Sequence, residues 1–185
     1  MNLWLRVLWI FLASLGKPRL SHILDISRLN FRVFPTDLDS NLHMNNGRYL
    51  TIMDLGRLDL ILRTGLLRFM REHKNVPILA AATLRYRLPL DPWQRYTLET
   101  QVVYWDERWI FLEQRFILAD GPKAGAIAAI GLVKGSFYDR ANKTTVPTQA
   151  LLEALGISDS SPPLPAPVAA FLAADAALQS HTAGA

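Results

Sequence analysis

Residues 28–63 read RLNFRVFPTDLDSNLHMNNGRYLTIMDLGRLDLILR and hold two different periods joined by a polar loop. From Arg28 to Phe34 apolar and polar residues alternate, with Leu29, Phe31 and Val33 on one face and Asn30 and Arg32 on the other. Such alternation is a half-buried strand, and Pro35 stops it. From Asn45 to about Arg63 the period lengthens. Tyr49, Ile52, Met53, Gly56, Leu60 and Ile61 fall on one helical stripe, while Arg48, Asp54, Arg57 and Arg63 lie off it. Asp54 and Asp59 read as solvated, or ion-paired with Arg57 or Arg63; a helix carboxylate facing a pocket is the lesser alternative. A glycine in the stripe, Gly56, predicts close approach of sheet backbone on that face.

Gly65 separates this helix from a short helical segment, Leu66–Lys74. Beyond Pro77 the pattern returns to period two or to continuous apolar runs. Strands are expected near Ile78–Leu88, Tyr96–Trp105, Trp109–Leu118 and Ala124–Tyr138. Asp106-Glu107-Arg108 makes a short hairpin link and Asp120-Gly121-Pro122 a turn. Consecutive strands with short links form an antiparallel sheet, and the one long striped helix must bury its apolar face on it. The expected class is α+β: a curved antiparallel sheet wrapped around one long central helix.

The ends differ from this middle, so the chain divides into an apolar N-terminal helix (1–20), a central domain (21–157) and a Pro/Ala-rich tail with a short helix (158–185). Leu3 to Leu15 is apolar except for Arg6 and Ser14, too short for the roughly 20 residues of a spanning helix. It fits a signal segment, an interfacial anchor through Trp4, Trp9 and Phe11, or a helix docked on protein. The run SDSSPPLPAP from Ser158 is a linker. It leads to a helix-prone stretch, Val168–Gln179, with Val168, Phe171, Leu172 and Leu178 available for docking. Ser180 to Ala185 are expected to fray.

Composition narrows the function. Half of the 185 residues are hydrophobic and 19% charged, enough to bury a core. With no cysteine, a disulfide framework, a thiolate metal site and a cysteine nucleophile are excluded. Net charge is +4, and fifteen of the twenty basic residues are Arg, spread along the chain. That suits an anionic small substrate or membrane surface, and not nucleic acid, which calls for a dense basic stripe. The four histidines show no zinc spacing, and neither phosphate-cradling glycine loops nor a G-x-S-x-G elbow occur.

The chemistry lies in residues 35–50. Asp37, Asp39, His43, Asn45 and Asn46 cluster just before the central helix. A helix start offers unpaired N–H groups that can hold a developing oxyanion, and a carboxylate beside it can attack a carbonyl or activate water. The same residues are also ordinary caps and turn formers.

The run Asp37-Leu38-Asp39-Ser40-Asn41-Leu42-His43-Met44-Asn45-Asn46-Gly47-Arg48-Tyr49-Leu50 resembles the D-x-D-x-x-x-H-x-N-N-x-x-Y-L signature of hotdog-fold acyl-CoA thioesterases of the 4-hydroxybenzoyl-CoA thioesterase type, in their thioesterase-like branch. The resemblance extends over about residues 28–157, and Tyr104–Trp109 with Phe111-Leu112-Glu113 is similar to that branch's third hairpin. It implies a hotdog fold, a homodimer or dimer-based tetramer with sites at subunit interfaces, an acyl-CoA substrate, and neither metal nor cofactor. By position it implies that Asp39 is the catalytic carboxylate, as nucleophile or general base, and that the Asn46 N–H is the oxyanion donor. His43, Asn45 and Tyr49 would shape the site. Gly often precedes the His in the family; here Leu42 does, a departure that bears on loop geometry. Arg85, Arg87, Arg140 and Lys143 are candidates for the CoA phosphates, and each also reads as a solvated surface charge. The acyl pocket is expected between the helix stripe and the facing strands. The expected setting is cytoplasmic, with peripheral membrane contact through residues 3–15. Two rival readings remain: hydration of an enoyl-CoA on the same fold, and an acyl-binding or membrane scaffold without chemistry.

Overall fold

In the computed structural model, which describes residues 3–183, the chain runs α1 (Leu3–Leu15), β1 (Ser27–Arg32), α2 (Asn46–Thr64), α3 (Leu66–His73), β2 (Asn75–Tyr86), β3 (Arg95–Trp105), β4 (Ile110–Leu118), β5 (Ile127–Asp139), β6 (Thr144–Thr145), α4 (Thr148–Ala154) and α5 (Ala166–Ala183). Every strand pairing is antiparallel. The sheet order is β1-β3-β4-β5-β2, with β6 appended to β5. Among the described residues β1 pairs only with β3, and β2 only with β5.

Helix α2 lies on the sheet through the stripe the sequence predicts. Tyr49, Ile52, Met53, Gly56, Leu60 and Ile61 are all buried, and Leu55 and Asp59 join them. Asn45 caps its start, and Gly65 ends it with φ of 88°. The sheet does come close at Gly56. A Cβ there would fall against Thr100 Oγ1, 2.7 Å from Leu98 Cδ2 and 2.8 Å from Gln114 Nε2. Gln114 fills that seam, donating to Met53 O and Thr100 Oγ1 (both 2.9 Å) and accepting from Arg57 Nη1 (2.8 Å).

For Asp59 the ion-paired reading with Arg63 holds and the solvated one does not. The residue is fully buried, accepts the Ser27 hydroxyl at 2.6 Å and pairs with Lys17 and Arg63, each at 3.3 Å. A buried carboxylate requires such partners, and here they tie α2 to the end of α1 and to β1.

Helix α1 docks on α2 with Arg6 and Ile10 buried. Its other face is apolar and open: Leu5, Leu8, Leu12 and Leu15 are 57, 54, 58 and 73% exposed. No described helix is long and apolar enough to cross a membrane. Helix α5 covers part of the sheet's outer face. Val168 and Phe171 pack on Phe111 and Leu132, and Lys134 pairs with Asp175 at 2.8 Å beside Trp109. Leu178 stays exposed. The helix is continuous to Ala183, through the start of the stretch expected to fray; residues 184 and 185 lie outside the described residues.

Candidate active site before the central helix

Between β1 and α2 the chain folds back on itself. One 3₁₀ turn, Pro35–Asp37, is followed by a bridge between Leu38 and Met44. The Asp39 N–H donates to His43 O at 2.9 Å, and the Leu42 N–H to Asp39 O at 3.1 Å. Leu42 closes this turn with φ of 60°. That is left-handed backbone, free to Gly and costing other residues roughly 1–2 kcal/mol. The position at which the sequence departs from glycine is therefore one whose geometry favours glycine. The Leu42 side chain is exposed and meets no packing demand.

The Asp39 carboxylate is half-buried. Its Oδ1 accepts the Asn41 N–H at 2.8 Å and the His43 N–H at 3.4 Å, and its Oδ2 has no hydrogen-bond partner among the described residues. Just beyond, Asn45 Oδ1 accepts the Gly47 N–H at 2.9 Å and Asn45 O accepts the Arg48 N–H at 2.9 Å. The exposed Asn46 keeps its N–H without an acceptor among the described residues, as expected of a first helical residue. The Tyr86 hydroxyl reaches from β2 to donate to Asn46 O at 3.0 Å, holding that first turn. A free carboxylate oxygen and a free N–H at the positive end of a helix thus share one short loop.

Tyr49 packs edge-on against Tyr86 and Phe116, ring centroids 5.0 and 4.9 Å away. Burial, reinforced by Tyr86 and the Asp39 charge, pushes its phenol up to about 12. It is a neutral wall of the site at any ordinary pH. His43 gives the loop its backbone groups; its ring Nε2 lies 3.6 Å from Asp91 Oδ1 on the neighbouring turn.

The two carboxylates of the motif have separate environments, which their spacing did not reveal. Asp37 is fully buried. Its Oδ2 accepts the Phe34 N–H at 3.0 Å and pairs with Arg6 of α1; its Oδ1 lies 3.1 Å from Arg48 Nε; its carbonyl accepts the Asn45 N–H at 2.8 Å. Asp37 clamps the loop from behind, while Asp39 keeps an oxygen free. The available signal was Arg6 itself, a single charge inside an apolar helix, which has to find a buried partner.

Arg85 and Arg140 are not brought together. Both are exposed, but Arg85 pairs in register with Ile130, whereas Arg140 follows Asp139, which pairs with Asn75. The nine residues of β5 between those positions span about 30 Å. An apolar cavity of about 360 Å³ lies between α2 and the sheet, lined by Leu55, Leu58, Ile61, Val133 and Phe137, with Leu79 of β2 beside it. It begins at Asp54, about 12 Å of helix from Asn46. The described residues contain no group of three or more His, Asp or Glu able to hold a metal.

Residues 33–172 match the family model described as the thioesterase-like superfamily. Among curated relatives, Protein THEM6 of Danio rerio is 34% identical over 131 residues, 71% of this chain and 63% of that protein. Protein THEM6 of Xenopus laevis is 38% identical over 85 residues, 46% of this chain and 41% of its own length. The chain thus spans less than two thirds of either relative. Among solved structures, the YbaW probable thioesterase of Escherichia coli superposes with a TM-score of 0.63 at 21% identity, covering 69% of this chain and 94% of that one. A 1,4-dihydroxy-2-naphthoyl-CoA thioesterase of Synechocystis gives 0.60 at 9% identity, covering 71% and 95%. At such identities these structures establish the hotdog fold.

Proposed function

Because this chain belongs to the thioesterase-like superfamily, we propose that it hydrolyses an acyl-CoA thioester to a free acid and coenzyme A. The observation that carries this reading is the free Oδ2 of Asp39 in the same short loop as the open Asn46 N–H at the start of α2. The thioester carbonyl oxygen rests on that N–H, where negative charge developing at the tetrahedral stage meets the positive helix end. Asp39 either takes a proton from an attacking water or attacks the carbonyl carbon itself, forming a mixed anhydride that water then opens. In the first route the proton taken by Asp39 passes to the leaving sulfur as the C–S bond breaks; in the second the sulfur leaves as the thiolate and takes its proton from solvent. The Asn41 and His43 N–H groups hold Oδ1, so that Oδ2 is presented. Asn45 fixes the helix start and Tyr49 walls the site. Neither route calls for a metal or a cofactor.

A second copy of the chain completes this reading. Strand β2 has an open edge; Tyr86, near its end, touches the helix start, whereas Leu79, nearer its beginning, lines the apolar cavity. Antiparallel β2–β2 pairing about a two-fold axis sets the Tyr86 end of one copy beside the Leu79 end of the other. The acyl chain leaving Asp39 of one copy would then enter the other copy's cavity. Arg85 and Arg140 remain the candidates for the CoA phosphates, at opposite ends of one copy's β2–β5 pair. The open face of α1 supports peripheral contact with a membrane.

The test is thiol release across short, long and aromatic acyl-CoAs, with wild type and Asp39→Asn side by side. Turnover falling about 10²-fold or more in Asp39→Asn, with an unchanged circular dichroism spectrum, is the expected result. Full turnover in Asp39→Asn overturns the role of Asp39. No turnover on any ester by the wild type overturns the enzyme reading in favour of acyl binding alone.

A further inference from the structure

The apolar cavity between α2 and the sheet has a wall that lies outside the matched family segment. That segment begins at residue 33, yet Leu3 and Val7 of α1 line the cavity together with Leu58, Ile61 and Leu66. Leu3 and Val7 stand four residues apart, so both side chains fall on one face of α1. Both are half-buried, whereas Leu5 and Leu8 are exposed on the open side. The helix that carries this wall is fixed at two places. Arg6, beside Val7, pairs with the buried Asp37. Past the end of α1, Lys17 pairs with Asp59 at 3.3 Å, Arg63 Nε donates to Pro18 O at 3.0 Å and the Leu20 N–H donates to Arg63 O at 3.1 Å. A wall held at both points limits how far an occupant can extend.

Lining and size say what fits. Asp54 and Arg57 pair with each other at the start of the cavity, and beyond them its lining side chains are apolar except for Ser136. The cavity follows α2 from Asp54 to Ile61, about 10 Å of helix, and continues to Leu66 at the start of α3. A cavity of about 150 Å³ takes one benzene molecule, about 25 Å³ per carbon. By that measure about 360 Å³ holds about fourteen carbons and leaves a single ring loose. Unfilled apolar space forfeits packing, so a chain suits the cavity better than a ring. We propose that α1 is the gauge of acyl length: Leu3 and Val7 close the acyl cavity, which selects a saturated, unbranched acyl group of about ten to fourteen carbons. The gauge rests on the acyl-CoA reading above and adds to it the substrate class and the residues that select it.

The test is calorimetric binding of non-hydrolysable S-alkyl-CoA thioethers, carrying butyl, dodecyl, hexadecyl or benzyl groups, to the full chain and its variants. The wild type is expected to bind S-dodecyl-CoA most tightly of the four, at least tenfold better than S-benzyl-CoA. Val7→Phe, which fills the cavity from α1, is expected to weaken S-dodecyl-CoA at least tenfold while S-butyl-CoA changes less than threefold. Leu3→Ala with Val7→Ala makes room and is expected to move the tightest binding to S-hexadecyl-CoA; it decides the matter if Val7→Phe does not fold. Leu8→Ala, on the open face of α1, is expected to keep the wild-type ranking. Thiol release from the matching acyl-CoAs separates the gauge from hydrolysis. A ranking that moves with Leu3 and Val7 in a protein that turns over no ester leaves the gauge standing and refutes hydrolysis. Turnover by a protein whose ranking ignores both sets of α1 changes refutes the gauge alone. Tightest binding of S-benzyl-CoA or S-hexadecyl-CoA by the wild type refutes the substrate class, and no binding of any thioether refutes both readings.

Discussion

Asp37 and Asp39 stand two residues apart and do opposite work. Three polar contacts and complete burial occupy Asp37, while Asp39 keeps an oxygen for chemistry. Breaking a buried pair from one side strands a charge at a cost of about 3–5 kcal/mol. Arg6→Met is therefore expected to lose about 3 kcal/mol in urea denaturation, since Arg48 remains on Asp37. Arg6→Met with Asp37→Asn should lose less than the two single changes summed, and strict additivity would show that the pair is not coupled. At Leu42 the backbone itself is the cost. An exposed Leu→Gly change ordinarily destabilises through unfolded-state entropy. With φ of 60° already imposed, Leu42→Gly is expected to be neutral or up to about 1 kcal/mol stabilising. A loss above 1 kcal/mol in the same assay would contradict the strained turn.

At the scale of elements, α2 was the most legible part of the chain. Its stripe, its cap and its glycine against the sheet all follow from a 3.6-residue period and from the absence of a Cβ. Helix α1 was legible as a helix, but not in its orientation. The sequence allowed signal, anchor or docked helix, and the structure has it docked through Arg6 and Ile10 with an apolar face left open. If that face meets lipid, replacing Leu5, Leu8 and Leu12 together by Ser should lower partition into anionic vesicles at least tenfold while leaving the fold intact, because all three side chains already face outward. Unchanged partition in a flotation assay would remove the membrane reading. Strand boundaries shifted by up to three residues from expectation, with the ends at Trp105 and Leu118 unchanged.

For the whole molecule, the open β2 edge is the feature that matters most. An edge strand twelve residues long invites pairing, and the proposed shared site rests on it, since the cavity begins about 12 Å of helix from Asn46 within one chain. Sedimentation is expected to show a dimer. Leu79→Lys, which places a charge on that seam, should shift it toward monomer with turnover falling in parallel; a monomeric wild type with full turnover would refute the shared site. Strand β6 and helix α4 were not legible in the sequence. Fold class, the order of the main strands and helices, the central helix and the loop that bears Asp39 were set by the sequence alone. Each rests on local periodicity or on residues adjacent in the chain. Tertiary structure alone decided that Arg6 belongs to Asp37, thirty-one residues away, that Asp59 is buried, that Tyr86 holds the helix start, and that Arg85 and Arg140 lie at opposite ends of a strand pair. These are pairings between distant segments. They depend on strand register and helix docking, which no local pattern of polarity encodes.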